Sequence, residues 1–250
     1  MSEQIMIENR DGYAVVTMNK PQRRNALGTQ SITELQSALN DRAADEACRA
    51  IVLTGAPPAF CAGSDLKELG GLSVPGMSAH EELTARVARQ MAYLPVPIIA
   101  AVEGYALGGG FILATSCDVV VTGASTKWAM PEVKNGWLPP WGLQTLIART
   151  GSVKARLITW GTEEIDGSEA LRLGIADSIA PDGQVLEKAR EMAERLAALP
   201  ATSVRSTKRF FEGAVTGASE QMDAEASRLF ASDCEGEAAK ALLAKFTVQA

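Results

Sequence analysis

Two short stretches carry the residue types from which a catalytic site could be built. One is AFCAGSDLKEL, residues 59–69; the other is EGYALGGGFILATSCD, residues 103–118. The second places Gly108, Gly109 and Gly110 in an apolar run, where each glycine costs a helix about 1 kcal/mol against alanine. A phosphate cradle would need GxGxxG or GxxxxGK[ST], and neither spacing is present. Close packing of a helix on a strand would explain one glycine better than three. The remaining reading is a helix start whose free amides point at developing negative charge, helped by the helix dipole. An oxyanion hole of that kind draws its second amide from another loop, and AGSD at residues 62–65 is such a loop. A serine–histidine triad is not available, because His80 is the only histidine. A single acid such as Glu132, in Met130-Pro131-Glu132, reads on its own as a capping or surface residue.

These stretches need elements to hold them. IMIENR, Asp11-Gly12 and YAVVTMN read as a hairpin. Leu27, Ile32, Leu35 and Leu39 recur at helical spacing after Pro21. RAIVLTGA, PVPIIAAVEG and VVVTG read as buried strands, with AGSD and LGGG at strand-to-helix junctions. The alternation predicts parallel βαβ units and an α/β sheet. From about Ser152 the segments are mostly amphipathic and helical. Residues 1–195 are expected to form the α/β core and 196–250 a C-terminal helical region. GGLSVPGM, residues 70–77, is expected to be a mobile loop, with His80 solvated in the same variable region.

The 250 residues carry a net charge of −6, which argues against a nucleic-acid partner, since no basic stripe dominates. Cys48, Cys61, Cys117 and Cys234 show no CxxC spacing and no histidine neighbours, so they read as free thiols and not as metal ligands. The N-terminus has neither a basic region nor an apolar core of a signal peptide, giving a cytoplasmic expectation. Tyr93 to Thr115 is long and apolar, but Pro95, Pro97, Glu103 and its glycines argue against a membrane span.

Taken together, AFCAGSDLKEL and IIAAVEGYALGGGFILATSCDVVVTG closely resemble the enoyl-CoA hydratase/isomerase (crotonase) superfamily. NKPQRRNAL, MPEVKNGWLPPWG, ALRLGIADSIAP and SDCEGEAAKALLAKF follow in family order, so the likeness runs from about residue 5 to 247. The resemblance implies a crotonase-like ββα superhelix core with a C-terminal helical trimerisation region. It also implies an acyl-CoA thioester substrate, with coenzyme A as part of the substrate, no permanently bound cofactor, and a homotrimer or dimer of trimers. Two backbone amides then hold the thioester oxygen as an enolate forms; carried across, they are those of Ser64 and Gly109. Ser64 therefore contributes its N–H and not its hydroxyl.

Hydratases of this family use two glutamates. The one in the PE motif is Glu132, where Trp128, Met130 and Trp137 are expected to desolvate it and raise its pKa. The other position holds Ile112, which can neither ionise nor hold water. A 3,2-enoyl-CoA isomerase needs only one base, which moves a proton from the α- to the γ-carbon, and is the first expectation. Hydration, lysis or C–C hydrolysis with one glutamate, and a non-catalytic acyl-CoA-binding homologue, remain alternatives. Pro140 replaces the extra aspartate of dienoyl-CoA isomerases and dehalogenases, and Leu69 replaces the tyrosine of feruloyl-CoA hydratase-lyases. The resemblance further implies CoA contacts around Arg23, Arg24 and Ala26, and at Ala62, Ser64 and Lys67, with Lys245 a second phosphate partner. Asp65 either caps the helix at Leu66 or serves the site. Asp118 is expected to fix a helix–strand turn. Gly108, Ile112 and Trp137 are expected beside the acyl group, and Trp141 and Phe246 there or in the core.

Overall fold

Strand β1 (Ile5–Arg10) pairs antiparallel with β2 (Tyr13–Met18) across the Asp11-Gly12 turn, where Gly12 adopts a φ of +77°. The computed structural model describes residues 3–246. A short 3₁₀ turn at Pro21–Arg23 leads to helix α1 (Thr29–Ala44), whose Ile32, Leu35 and Leu39 are buried as their spacing requires. Next come β3 (Ala50–Gly55), α2 (Leu66–Leu69), α3 (Val74–Tyr93) and β4 (Ile98–Val102). They are followed by β5 (Tyr105–Leu107), α4 (Gly109–Thr115), β6 (Val119–Gly123) and β7 (Lys127–Ala129). Helices α5 (Glu132–Asn135), α6 (Leu143–Thr150), α7 (Ser152–Trp160) and α8 (Gly167–Leu173) precede β8 (Ser178–Ala180). The chain then continues through α9 (Val185–Ala197), α10 (Ala201–Thr216), α11 (Ser219–Cys234) and α12 (Glu237–Leu243).

One sheet has the order β1-β2-β3-β4-β6-β8, parallel from β2 onward, and β5 pairs in parallel with β7 in a second. Successive residues of β3 serve opposite faces. Ile51 and Leu53 enter the main core with α1, α3 and α4, while Ala50 and Val52 face α9. Small residues Ala189 and Ala193 let α9 lie close to that second face. A third apolar cluster joins Leu69, Met77, Trp137, Phe230 and Cys234 beneath the C-terminal helices. All four cysteines are free and buried, and burial pushes the Cys61 thiol up to about 12.

Two expectations need correction. Residues 74–77 are not loop but the first turn of α3, started by Ser73, whose hydroxyl accepts from the Gly76 N–H at 3.4 Å, and by Pro75 near its N-terminus. His80 is therefore helical and buried rather than solvated. Strands β5, β7 and β8 went unseen because three residues carry too little alternation to read.

Candidate active site

The Ser64 loop is zipped to the segment before α1. The Ala62 N–H donates to the Arg24 carbonyl (2.9 Å), that of Leu27 to Gly63 (2.8 Å) and that of Asp65 to Leu27 (2.9 Å). Asn25, buried and left-handed at φ +57°, donates to the carbonyls of Ala56 and Ala59. Asp65 caps α2 by accepting from the Lys67 N–H, and pairs with Lys20 and Arg23, which hold its carboxyl below the usual range against the upward pull of burial.

Each glycine of the triplet makes room for a different neighbour. At Gly108, whose φ is +52°, a Cβ would overlap Oε1 of Glu132. At Gly109 it would lie 3.2 Å from Cζ2 of Trp141, and at Gly110 it would run into the Cys61 carbonyl. The same close approach brings the two amides together: the Gly109 Cβ position is 3.7 Å from the Ser64 nitrogen, and that of Gly63 is 3.1 Å from the Gly109 nitrogen. Neither N–H has a protein acceptor among the described residues. Gly109 opens α4, where a helix leaves its first donors unused.

Facing these amides is a cavity of about 70 Å³. Its walls include Ala62, Ser64, Leu69, Gly108, Gly109, Ile112, Glu132, Trp137, Pro140, Trp141 and Phe230. Glu132 is the first residue of α5 and is 9% exposed, and its Oε2 has no hydrogen-bond partner among the described residues. Burial pushes its carboxyl up to about 8, against a bond from its own backbone N–H and aided by the charge of Glu81. Ile112 sits one turn into α4 and packs against Gly142, filling the place of a second acid with methyl groups. Of the three residues expected to dry Glu132, only Trp137 lines the cavity, edge-on to Phe230. Trp128 and Met130 are turned into the main core, with Trp128 edge-on to Phe111 and donating to Thr122 at 3.0 Å.

Other expected residues lie away from the cavity. Arg24 stacks over the Tyr105 ring at 4.7 Å, Ala26 is buried beside it in sequence, and Lys67 and Lys245 are exposed. Phe246 packs over Gly70 and not against the cavity. Asp118 does fix its turn, accepting from the Ile98 N–H at 2.7 Å and pairing with Lys208 at 2.7 Å.

The residue that sequence reasoning missed is Glu81. It lies on α3, 5% exposed, lines the same cavity, and accepts from the Trp141 indole N–H at 2.8 Å. His80 Nδ1 stands 3.7 Å from Oε1 of Glu81, too far for a hydrogen bond. Burial lowers the His80 pKa, but Glu81 outweighs it and raises it, with Glu68 and Asp65 adding. A signal was present. Met77, Thr84, Ala85, Ala88 and Met91 form one buried stripe of α3, and Glu81 interrupts it. The wall carrying Trp141 is held from outside the sheet: the Leu138 N–H donates to Asp233 (3.0 Å) and that of Gly142 to Asp223 (2.8 Å), both on α11.

A mostly parallel α/β sheet thus sets two free backbone amides and one buried carboxyl around a single cavity, the layout of an α/β enzyme. The family model for enoyl-CoA hydratase/isomerase matches residues 8–247, and the chain belongs to that family. It is 34% identical over 207 residues to a Mycobacterium bovis protein named "Probable enoyl-CoA hydratase", covering 82% of this chain and 80% of that one. It is 29% identical over 235 residues to the short-chain-enoyl-CoA hydratase of Clostridium acetobutylicum, covering 93% and 88%. Among solved structures, an enoyl-CoA hydratase from Bacillus anthracis superposes with a TM-score of 0.81 at 27% identity, covering 90% of each chain. An enoyl-CoA hydratase/isomerase from Mycobacterium paratuberculosis gives 0.89 at 24% identity, covering 98% and 99%, and supports the fold. The chain is thus an acyl-CoA-processing enzyme of this superfamily with the crotonase fold.

Proposed function

We propose that the chain isomerises 3-enoyl-CoA thioesters to their 2-enoyl isomers, with Glu132 as the base. The observation that carries this reading is the buried Glu132 carboxyl, with Oε2 unpartnered, beside Gly108 and across from the amides of Ser64 and Gly109, while Ile112 closes the other acid position. Coenzyme A enters as part of the substrate, and no resident cofactor is needed. The thioester oxygen accepts from the two amides, so charge leaving the α-carbon gathers where donors already stand. Glu132 removes the α-proton, and the resulting dienolate is reprotonated at the γ-carbon. The apolar walls at Ile112, Trp137 and Trp141 exclude water and strengthen the interaction between the amides and the dienolate.

The CoA portion is assigned to the rim carrying Arg24, Ala26, Ala62 and Ser64, with Lys67 and Lys245 as phosphate partners. Asp65 serves that rim only by holding the loop. A homotrimer or dimer of trimers is the assembly this reading carries; exposed Phe210 and Phe211 on α10 supply an apolar face for it. A second reading, hydration of a 2-enoyl-CoA, is favoured by Glu81 in the cavity and by the names of the relatives.

The test is solvent deuterium exchange into the α-position of 3-enoyl-CoA, with product formation followed alongside. Glu132→Gln should abolish both. Exchange at the wild-type rate in that variant removes Glu132 as the base, and a wild type inert toward every acyl-CoA offered favours a binding-only homologue.

A further inference from the structure

Ile112 leaves Glu132 as the only acid at the two family positions, yet a second carboxyl reaches the cavity from α3. Glu81 is 95% buried by its 5% exposure and lies on the cavity wall with Glu132, Ile112 and Trp141. Buried carboxylates ordinarily carry a cationic partner. Asp223, buried to a similar degree, obeys this rule: Arg89 pairs with it at 2.7 Å and the Gly142 N–H donates to its other oxygen. Glu81 does not. Among the described residues no arginine or lysine forms an ion pair with it; the ionisable group beside it is His80, whose Nδ1 stands 3.7 Å from Oε1 and which is cationic only when protonated. Its one hydrogen bond at the wall comes from Trp141, whose ring also covers Gly109. A glutamine would anchor that indole equally well. The carboxyl is therefore unexplained by packing, and it shares the cavity wall with Glu132, whose Oε2 has no partner among the described residues.

We propose that Glu81 is a second catalytic carboxyl, which delivers the proton to the γ-carbon after Glu132 has taken the one at the α-carbon. This rests on the isomerase reading. The Glu132 carboxylate removes the α-proton, and the C–H pair becomes the C1=Cα bond as the thioester oxygen turns into an oxyanion at the two amides. In the form that reacts, the two carboxyls together hold one proton, on Glu81: the Cβ=Cγ pair takes it, the C1=Cα pair moves to Cα=Cβ, and the thioester carbonyl re-forms. Glu132 ends protonated and Glu81 ionised. Between turnovers Glu132 gives its proton to solvent water and Glu81 takes one from solvent, so the site resets with no other co-reactant. Trp141 orients Glu81 by donating to Oε2, while Oε1 stands 3.7 Å from His80 Nδ1.

The experiment uses 3-enoyl-CoA deuterated at the α-carbon, turned over in ordinary water by the full-length enzyme. Wild type should place solvent hydrogen at the γ-carbon. Glu81→Gln, which keeps an acceptor for Trp141, should lose on the order of 10²-fold in rate. Its residual product should carry deuterium moved from the α- to the γ-carbon, and Glu81→Asp should recover part of the two-carboxyl pattern. Wild-type product with the label transferred internally overturns the proposal without any variant. So does a Glu81→Gln enzyme within threefold of wild type and with the same label distribution, even when Glu132→Gln is inactive. A wild type that isomerises no 3-enoyl-CoA overturns the isomerase reading, and this role for Glu81 falls with it.

Discussion

Replacing Glu132 by glutamine should stabilise the fold near neutral pH while removing its chemistry. In the unfolded chain this carboxyl ionises near 4.5, whereas burial keeps it protonated up to about 8 in the fold. Between those values the unfolded state binds fewer protons than the native one, so stability falls as pH rises. Below the lower value there is no loss, and above the upper one the loss is complete. Linkage gives about 1.4 kcal/mol per pH unit once the unfolded group is ionised. Between pH 5 and pH 7 that amounts to about 2–3 kcal/mol. Glutamine does not titrate and escapes the loss, so its stability relative to wild type should climb by that amount over the interval. Denaturant unfolding of both proteins at pH 5, 6, 7 and 8 reads the difference directly. At neutral pH it corresponds to several degrees in Tm, since 1 kcal/mol moves a chain of this size by roughly 2–4 °C. Any fixed cost of the buried amide cancels, because only the slope with pH is used. A difference that stays constant from pH 5 to pH 8 refutes the argument that burial governs this carboxyl. The same group is the base, so kcat/KM should rise with pH on the approach to about 8.

Two further substitutions probe the amides and the glycine triplet. Ser64→Ala keeps the N–H and removes only the hydroxyl; isomerisation should stay within about twofold of wild type, and a loss beyond tenfold would give the hydroxyl a role. Gly108→Ala puts a Cβ onto the Glu132 carboxyl at a backbone angle that disfavours one, so kcat should drop on the order of 10²-fold and stability by about 1–3 kcal/mol. Wild-type kcat in that variant would mean that Glu132 works from another position.

The site could be read from sequence where its parts are local. AGSD and LGGG announce backbone-built features, because the glycines there allow close approach and supply no side-chain chemistry. Glu132 was marked by the resemblance of its PE motif, since a single acid on its own reads as a cap or a surface residue. Glu81 escaped because its meaning depends on a helix whose first turn, SVPG, looks like loop chemistry. Proline and glycine punctuate turns in most contexts, but Pro75 here lies in the first helical turn, which tolerates proline. Once α3 is extended to Val74, an acid on a buried stripe becomes visible. Trp128 was misplaced beside Glu132, and Phe246 left between pocket and core, for a different reason: their side chains point where long-range packing sends them, and periodicity holds no information about that.

The cavity wall from Leu138 to Gly142 hangs from α11 by two backbone amides and from α3 by one indole. None of those three bonds reaches the central sheet. Opening of the C-terminal helices would therefore release the wall while every strand stays paired, so wall and helices belong to one cooperative opening unit. The sheet can keep its full protection against exchange while the reaction chamber comes apart. Loss of chemistry and loss of fold are thus separable events in this chain, since the wall can come away from α11 and α3 without unpairing a strand.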